Sequence, residues 1–195
     1  MFFRFLTLTS KRKVFDMKLT IFLMMVLTFS ASTLGQNQTN IAAIKIEANK
    51  TVTVENSLQN GTKLSSLQWA SSSSVACFPA TQNAKFTGNH VFFSTTIPPH
   101  SIMTITVKPK DVSKNLSLYG YEIAPDKTIL PKDLQSCVTC EADHKWDYPK
   151  KGKTQTEVRT ITLNAVENSY NVIIGVAGAD GLTDADFTLE ITLKQ

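Results

Sequence analysis

A strict alternation of apolar and polar residues recurs through most of the chain and limits its fold more than any other feature. In residues 186–193 (DFTLEITL), every second side chain is apolar and the positions between carry Asp, Thr or Glu. Successive side chains of a β-strand point to opposite faces of a sheet, so this pattern predicts a strand with one buried and one solvated face. Residues 102–107, 116–122, 158–163 and 169–176 show the same period of two.

Weaker stretches of the same character predict further strands at residues 43–47, 51–54, 75–78 and 91–94. Pairs and single residues typical of turns, such as Asn-Gly and Pro-Pro, separate these segments. No segment of about ten residues has the 3.6-residue period of an amphipathic helix. Eight or nine short strands without a helix predict an all-β protein, an antiparallel β-sandwich of the jelly-roll-like type.

The segment MKLTIFLMMVLTFSASTLG, which ends at Gly35, has the three parts of a secretory signal peptide. Lys18 gives a positive start, an 11-residue apolar run follows, and small residues come last. The run is too short to span about 30 Å of hydrocarbon as a helix. We therefore predict a cleavable signal peptide over residues 1–35, with Met17 as the true start, and a secreted or periplasmic protein.

The remainder of the chain is expected to form one domain. Residues 36–42 are polar and predict a flexible N-terminal tail, and residues 43–195 carry the strand pattern. Within this domain, residues 123–156 alternate little. They therefore predict one long loop that holds most of the unusual chemistry.

Charge and hydropathy argue against nucleic-acid binding and against a membrane-spanning segment in the mature chain. The first 35 residues hold five of the 20 basic side chains but one of the 16 acidic ones, so the rest carries 15 of each. A neutral domain lacks the electrostatic footprint of a nucleic-acid-binding protein. No later apolar stretch approaches 18 residues, so no transmembrane anchor is expected in the mature chain.

Three of the predicted strands carry a resemblance to a known family. LSLYGY at 116–121, YNVIIGV at 170–176 and DFTLEIT at 186–192 resemble, in this order, strands of the bacterial pre-peptidase C-terminal (PPC) domain. The similarity covers roughly residues 90–193. One difference is that Lys and Asn stand at 114–115, where that family often has aspartates. The resemblance implies a jelly-roll sandwich that serves as a non-catalytic, secreted accessory or binding domain.

The three cysteines allow a disulfide or a metal site. Cys77 lies in a predicted strand, while Cys137 and Cys140 form a C-x-x-C in the long loop. Exported cysteines usually pair, so we predict a structural disulfide, either Cys137–Cys140 or Cys77 joined to one of them. The alternative is a small zinc-binding protein with Cys77, Cys137, Cys140 and His144 as ligands, since C-x-x-C suits two zinc ligands. A redox role of the three cysteines is a further alternative.

Two other groups of residues suggest ligands. Trp146 and Tyr148 lie among charges in the long loop, and such aromatic side chains can stack on a sugar ring, which gives a carbohydrate-binding module as another alternative. Asp180, Asp184 and Asp186 lie near glycines, and their oxygens could hold Ca²⁺. Their spacing matches no EF-hand, so a solvated turn is the favoured interpretation.

No catalytic motif is present in the sequence. G-x-S-x-G, H-E-x-x-H and a Walker loop are all missing, and the histidines are His90, His100 and His144. For His90 the sequence favours a hydrogen-bonded structural role. We therefore predict an exported, non-catalytic binding, accessory or structural module without a cofactor. Its expected partner is a protein or a glycan at the cell envelope or outside the cell.

Overall fold

The computed structural model describes residues 41–67, 80–125, 127, 139–149, 151–152 and 154–195. Strands and short 3₁₀ helices form the regular structure of these ranges. The strands are β1 (Ile41–Ala43), β2 (Lys50–Ser57), β3 (Thr62–Lys63), β4 (Asn89–Ile97), β5 (Ser101–Pro109), β6 (Leu116–Ile123), β7 (Thr139–Glu141), β8 (Arg159–Ala165), β9 (Tyr170–Gly178) and β10 (Asp186–Lys194). The 3₁₀ helices are Leu58–Asn60 and Ala80–Phe86.

The strands form two sheets, and the predicted all-β fold is confirmed. Sheet A has the order β1-β4-β9-β6-β7, with β3 also paired to β4, and sheet B has the order β2-β10-β5-β8. Successive long strands alternate between the sheets, and the resulting strand order is that of a jelly roll. All pairings are antiparallel except that of β1 with β4, which is parallel.

Most predicted strands are found within one to three residues of their predicted ends. The stretch 43–47 is an exception, because β1 ends at Ala43. The predicted long loop contains the short strand β7, which pairs with β6. The stretch 75–78 and the signal-peptide segment lie outside the described residues.

The core lies between the sheets and is built from alternate positions of the strands. Phe187, Leu189 and Ile191 of β10 are fully buried, as the alternation predicts. Phe93 of β4 meets Phe187 edge-on, with ring centroids 6.4 Å apart. Each large side chain removed from water contributes about 1.5–3 kcal/mol, so this interior holds the two sheets together.

The outer face of sheet B is solvated and rich in threonine. One row of threonines crosses its four strands: Thr51, Thr192, Thr104 and Thr162. The hydroxyls of Thr51 and Thr192 are 2.8 Å apart and can bond to each other. β-Branched side chains suit a pleated, half-solvated surface, which explains this composition.

The outer face of sheet A is covered instead. A second apolar cluster lies there, formed by Phe86, Phe92, Tyr119, Tyr121, Ile173 and Ala177. Partly buried side chains from the segments after β3 and β7, including Leu64 and Ala142, pack against it. Alternation places Tyr119 and Tyr121 opposite the main core, but it does not reveal that their face is also buried.

Tyr119 crosses the neighbouring strand to reach β4, and Gly175 makes this possible. The register pairs Tyr119 with Gly175 of β9. A Cβ atom at Gly175 would lie 2.1 Å from Tyr119 Cζ. With this space open, the Tyr119 hydroxyl lies 2.7 Å from His90 Nδ1 on β4.

Gly175→Ala is therefore expected to destabilise the protein by about 1–3 kcal/mol through overpacking. The same change in a Tyr119→Ala background should cost much less, because the ring that it would strike is gone. Urea unfolding of the two single variants and the double variant measures this coupling. An equal cost of Gly175→Ala in both backgrounds would contradict the explanation.

Candidate functional site

His144 lies at the centre of a buried polar network in the segment that follows β7. Its side chain is fully buried. Its Nε2 is 3.1 Å from Ser117 Oγ on β6, and its Nδ1 is 2.9 Å from Arg159 Nη2 on β8. The imidazole thus bridges the two sheets at the edge where β6, β7 and β8 meet.

The direction of each hydrogen bond in this network follows from the donors. A guanidinium only donates, so His144 Nδ1 accepts from Arg159, and the ring proton of the neutral imidazole is on Nε2. Nε2 then donates to Ser117, whose hydroxyl donates to the carbonyl oxygen of Lys85 at 2.7 Å. His144 therefore cannot take a proton from Ser117, which is the opposite of a serine nucleophile arrangement.

Arg159 is almost completely buried, with 2% of its surface exposed. Its Nε donates to the carbonyl of Leu116 at 3.1 Å, and its Nη1 donates to the carbonyls of Thr156 and Val158. Burial lowers the pKa of Arg159, while nearby carboxylates, Glu141 first, act to raise it. The guanidinium ties β8 to β6 and to the chain that precedes β8.

A half-buried ion pair closes the turn that contains His144. Asp147 Oδ2 accepts from Lys85 Nζ at 2.5 Å and from the His144 backbone N–H at 2.7 Å. The Asp147 N–H in turn donates to the His144 carbonyl at 2.9 Å. Burial raises the pKa of Asp147, but the bonds from Lys85 and His144 outweigh it, so that the pKa lies below its usual value. The four-residue turn is thus fixed at both ends.

Trp146 projects from this turn. Its ring packs against His144 at a centroid distance of 4.6 Å and an angle of 47°, and half of its surface is exposed. Trp146 is therefore an exposed aromatic residue on a buried, hydrogen-bonded support.

Trp146 forms one wall of an open groove with a volume of about 420 Å³. The other walls are the β5–β6 turn, through Ser113–Asn115, and the β9–β10 turn, through Ala179–Asp184. Asp180 has a positive φ of 51° and donates its backbone N–H to the Ala84 carbonyl at 2.7 Å. We call this cavity the Trp146 groove.

His90 occupies a second buried network, on the covered face of sheet A. Its Nε2 donates to the Phe86 carbonyl at 2.8 Å, since a carbonyl only accepts, and Nδ1 accepts from the Tyr119 hydroxyl. Burial lowers the pKa of His90 to about 4. The histidine is neutral and structural, as the sequence favours.

The predicted cysteine and zinc sites are only partly within the described residues. Cys140 lies half-buried on β7 and is disulfide-bonded, whereas Cys77 and Cys137 lie outside the described residues. The pairing therefore stays a prediction, and so does the zinc alternative. Both ring nitrogens of His144 are used in hydrogen bonds, and a disulfide sulfur is not a thiolate ligand. Among the described residues, no group of three or more His, Cys, Asp or Glu could hold a metal.

The two predicted aromatic residues have different surroundings. Trp146 lines the groove, whereas Tyr148 is 92% exposed and is not among the residues that line it. Of the predicted aspartate cluster, Asp180 and Asp184 line the groove, and Asp184 accepts a hydrogen bond from Gln59 at 2.8 Å. Asp186 begins β10 and does not line the groove.

Sequence reasoning missed Ser117 and Arg159, which bond to His144, and it missed Lys85, which bonds to Ser117 and Asp147. Only Arg159 left a signal. Arg159 lies on the same face of β8 as Ile161 and Leu163, which point into the core. A charged residue on a buried face needs a partner. Ser117 and Lys85 are distant from His144 in sequence, so nothing marks them as its neighbours.

The described residues form an all-β sandwich with an open surface groove at one end of its strands. In the described part of the chain, no helix is long and apolar enough to cross a membrane. No protein-family model matches the chain. No curated protein matches it either.

Three solved structures illustrate what this chain is similar to in fold. A PPC domain of a collagenase from Bacillus anthracis is 12% identical, with a TM-score of 0.40 over 81% of this chain and 100% of that one. A periplasmic inhibitor of g-type lysozyme from Aeromonas hydrophila is 8% identical, with a TM-score of 0.42 over 80% and 98%. A surface-associated copper-binding protein from Methylomicrobium album BG8 is 12% identical, with a TM-score of 0.45 over 79% and 98%.

Because two histidines are buried, the free energy of unfolding is expected to depend on pH even above the range in which carboxylates titrate. Burial, then Arg159 and Lys85, lower the pKa of His144 to about 4, and His90 also has a pKa of about 4, against 6.5 for a free histidine. Below pH 6.5 the unfolded chain binds more protons, so stability should fall between about pH 6.5 and 4. The expected slope is about 1 kcal/mol per pH unit for His90 and less for His144.

Urea unfolding at several pH values measures this slope. His144→Gln, whose amide can accept from Arg159 and donate to Ser117, should make the slope shallower. His100→Asn removes an exposed histidine with a positive φ, which Asn tolerates, and is the control. An unchanged slope in His144→Gln would show that this ring does not gain a proton on unfolding.

Proposed function

We propose that this protein is an exported, non-catalytic binding or accessory module that contacts its ligand through the Trp146 groove. The carrying observation is the position of Trp146, which is half exposed at the groove and packed on a buried histidine. His144 is in turn bonded to Arg159 and Ser117. An aromatic side chain already held in place loses little entropy on binding, and such residues dominate the energy of many contacts.

The exported location is supported by the N-terminal sequence and by sulfur chemistry. The segment that ends at Gly35 has the order of a signal peptide, and the chain after it is neutral. The disulfide at Cys140 suits an oxidising compartment. These features favour the periplasm or the cell exterior, with a protein or a glycan of the envelope as the partner.

The non-catalytic role is supported by how the reactive groups are used. His90 and His144 have both ring nitrogens in hydrogen bonds, and the Ser117 hydroxyl donates to a carbonyl. The described residues that line the groove include carboxylates, a lysine and hydroxyls but neither histidine nor cysteine. Such a set suits recognition by hydrogen bonds better than general acid–base catalysis near pH 7.

The protein, produced with its own N-terminal segment and purified after export, is expected to co-sediment with cell envelopes of its source organism. Trp146→Ala should weaken this binding at least tenfold, because the main aromatic contact is lost. Tyr148→Ala removes a more exposed aromatic residue outside the groove and should bind like the wild type.

Two results would contradict this proposal. If Trp146→Ala binds envelopes as well as Tyr148→Ala does, the groove is not the contact site. If the wild-type protein hydrolyses envelope peptides or glycans and Trp146→Ala does so more slowly, the site is catalytic.

A further inference from the structure

We propose that the ligand of the Trp146 groove is a carbohydrate, with a sugar ring stacked on the indole and its hydroxyls bonded by Lys114, Asn115 and Asp180. This inference rests on the proposed function and names the chemical class of its ligand. It follows from the chemistry of the groove walls, their free bonding capacity and their rigidity.

The walls of the groove match the two kinds of surface that a sugar ring presents. Among the described residues that line it, Trp146 is the one aromatic side chain. The polar side chains supply an ammonium group, an amide and carboxylates at Lys114, Asn115, Asp180 and Asp184. A sugar ring has an apolar C–H face, which packs on an aromatic ring, and a rim of hydroxyls that donate and accept. The volume of about 420 Å³ is within the range of small-ligand sites.

Several polar side chains of the groove can form further hydrogen bonds. Within the described part of the chain, no hydrogen bond or ion pair engages the side chains of Lys114, Asn115 or Asp180, nor the indole N–H of Trp146. Asp184 accepts a hydrogen bond from Gln59 with Oδ1, which leaves Oδ2 available to a ligand. These groups can bond to ligand hydroxyls without breaking bonds within the protein.

The two turns that form the groove are fixed before any ligand binds. The Ala179 N–H donates to the Asn115 carbonyl at 3.0 Å and so joins the two turns directly. The Gly181 N–H donates to Thr87 Oγ1 at 2.9 Å, and Gly181 has the positive φ that glycine allows. With Trp146 held by His144, three sides of the groove are preorganised, which lowers the entropic cost of binding.

The same features disfavour a protein surface as the ligand. Contact sites for proteins concentrate their binding energy in a desolvated apolar centre with several anchors. Among the described residues, Trp146 is the one aromatic anchor of a groove whose lining is mostly polar, and the exposed Tyr148 is not part of the groove.

The test uses polysaccharide released from the cell envelope and freed of protein by exhaustive protease digestion. It is immobilised, and the affinities of wild type and variants are measured by biolayer interferometry. We expect wild-type binding, at least tenfold weaker binding by Trp146→Ala and an intermediate affinity for Trp146→Phe. Lys114→Met and Asp180→Asn should each weaken binding about three- to tenfold, because Met has no ammonium donors and Asn replaces a charged acceptor oxygen with a donor. Asn at 180 tolerates the positive φ.

Tyr148→Ala is the matched control and should bind the polysaccharide like the wild type. Wild-type protein that binds intact envelopes but not the protein-free polysaccharide would overturn the carbohydrate inference and leave the proposed function standing. Equal binding of the polysaccharide by Trp146→Ala and the wild type would also overturn it. Loss of wild-type binding to both materials would overturn the proposed function itself.

Discussion

The buried guanidinium of Arg159 is the constraint on which the rest of the site depends. A cation removed from water destabilises the fold by several kcal/mol unless its donors are used. Arg159 directs its donors to backbone carbonyls on three sides and to His144 Nδ1. Because Nδ1 must accept, the tautomer of His144 and the direction of its bond to Ser117 are fixed. Trp146 is positioned by this network although it makes no hydrogen bond in it.

The two sheets differ in a way that makes this site possible. Sheet B presents threonines to solvent and needs no cover, since hydroxyls are well hydrated. Sheet A presents a second apolar surface, and the segments around Phe86, Leu64 and Ala142 lie across it. The chain after β7 is part of that cover, so its polar residues are brought against β6 and β8. The loop that carries Trp146 is thereby held on a rigid sheet, where its geometry is well defined.

Several elements could be predicted from the sequence, and others could not. β10 and β5 were predictable because their alternation is strict and each has one solvated face. The sequence made Trp146 a candidate, as an aromatic residue among charges, but it did not predict the separation of Trp146 from Tyr148, since neighbours in a turn can face different surroundings. The sequence did not show that Asp180, Lys114 and Trp146 line one groove, because three distant segments form it.

The sequence alone determined that the chain is an all-β sandwich and which side chains of its regular strands face the core. That information is local, because a period of two along one strand suffices to assign its faces. Only the tertiary structure decided that His144 is buried and bonded to Ser117 and Arg159, and that Trp146 and Asp180 line the same groove. These relations depend on which strands become neighbours, and burial of one charge at Arg159 then selects the partners that its hydrogen bonds require.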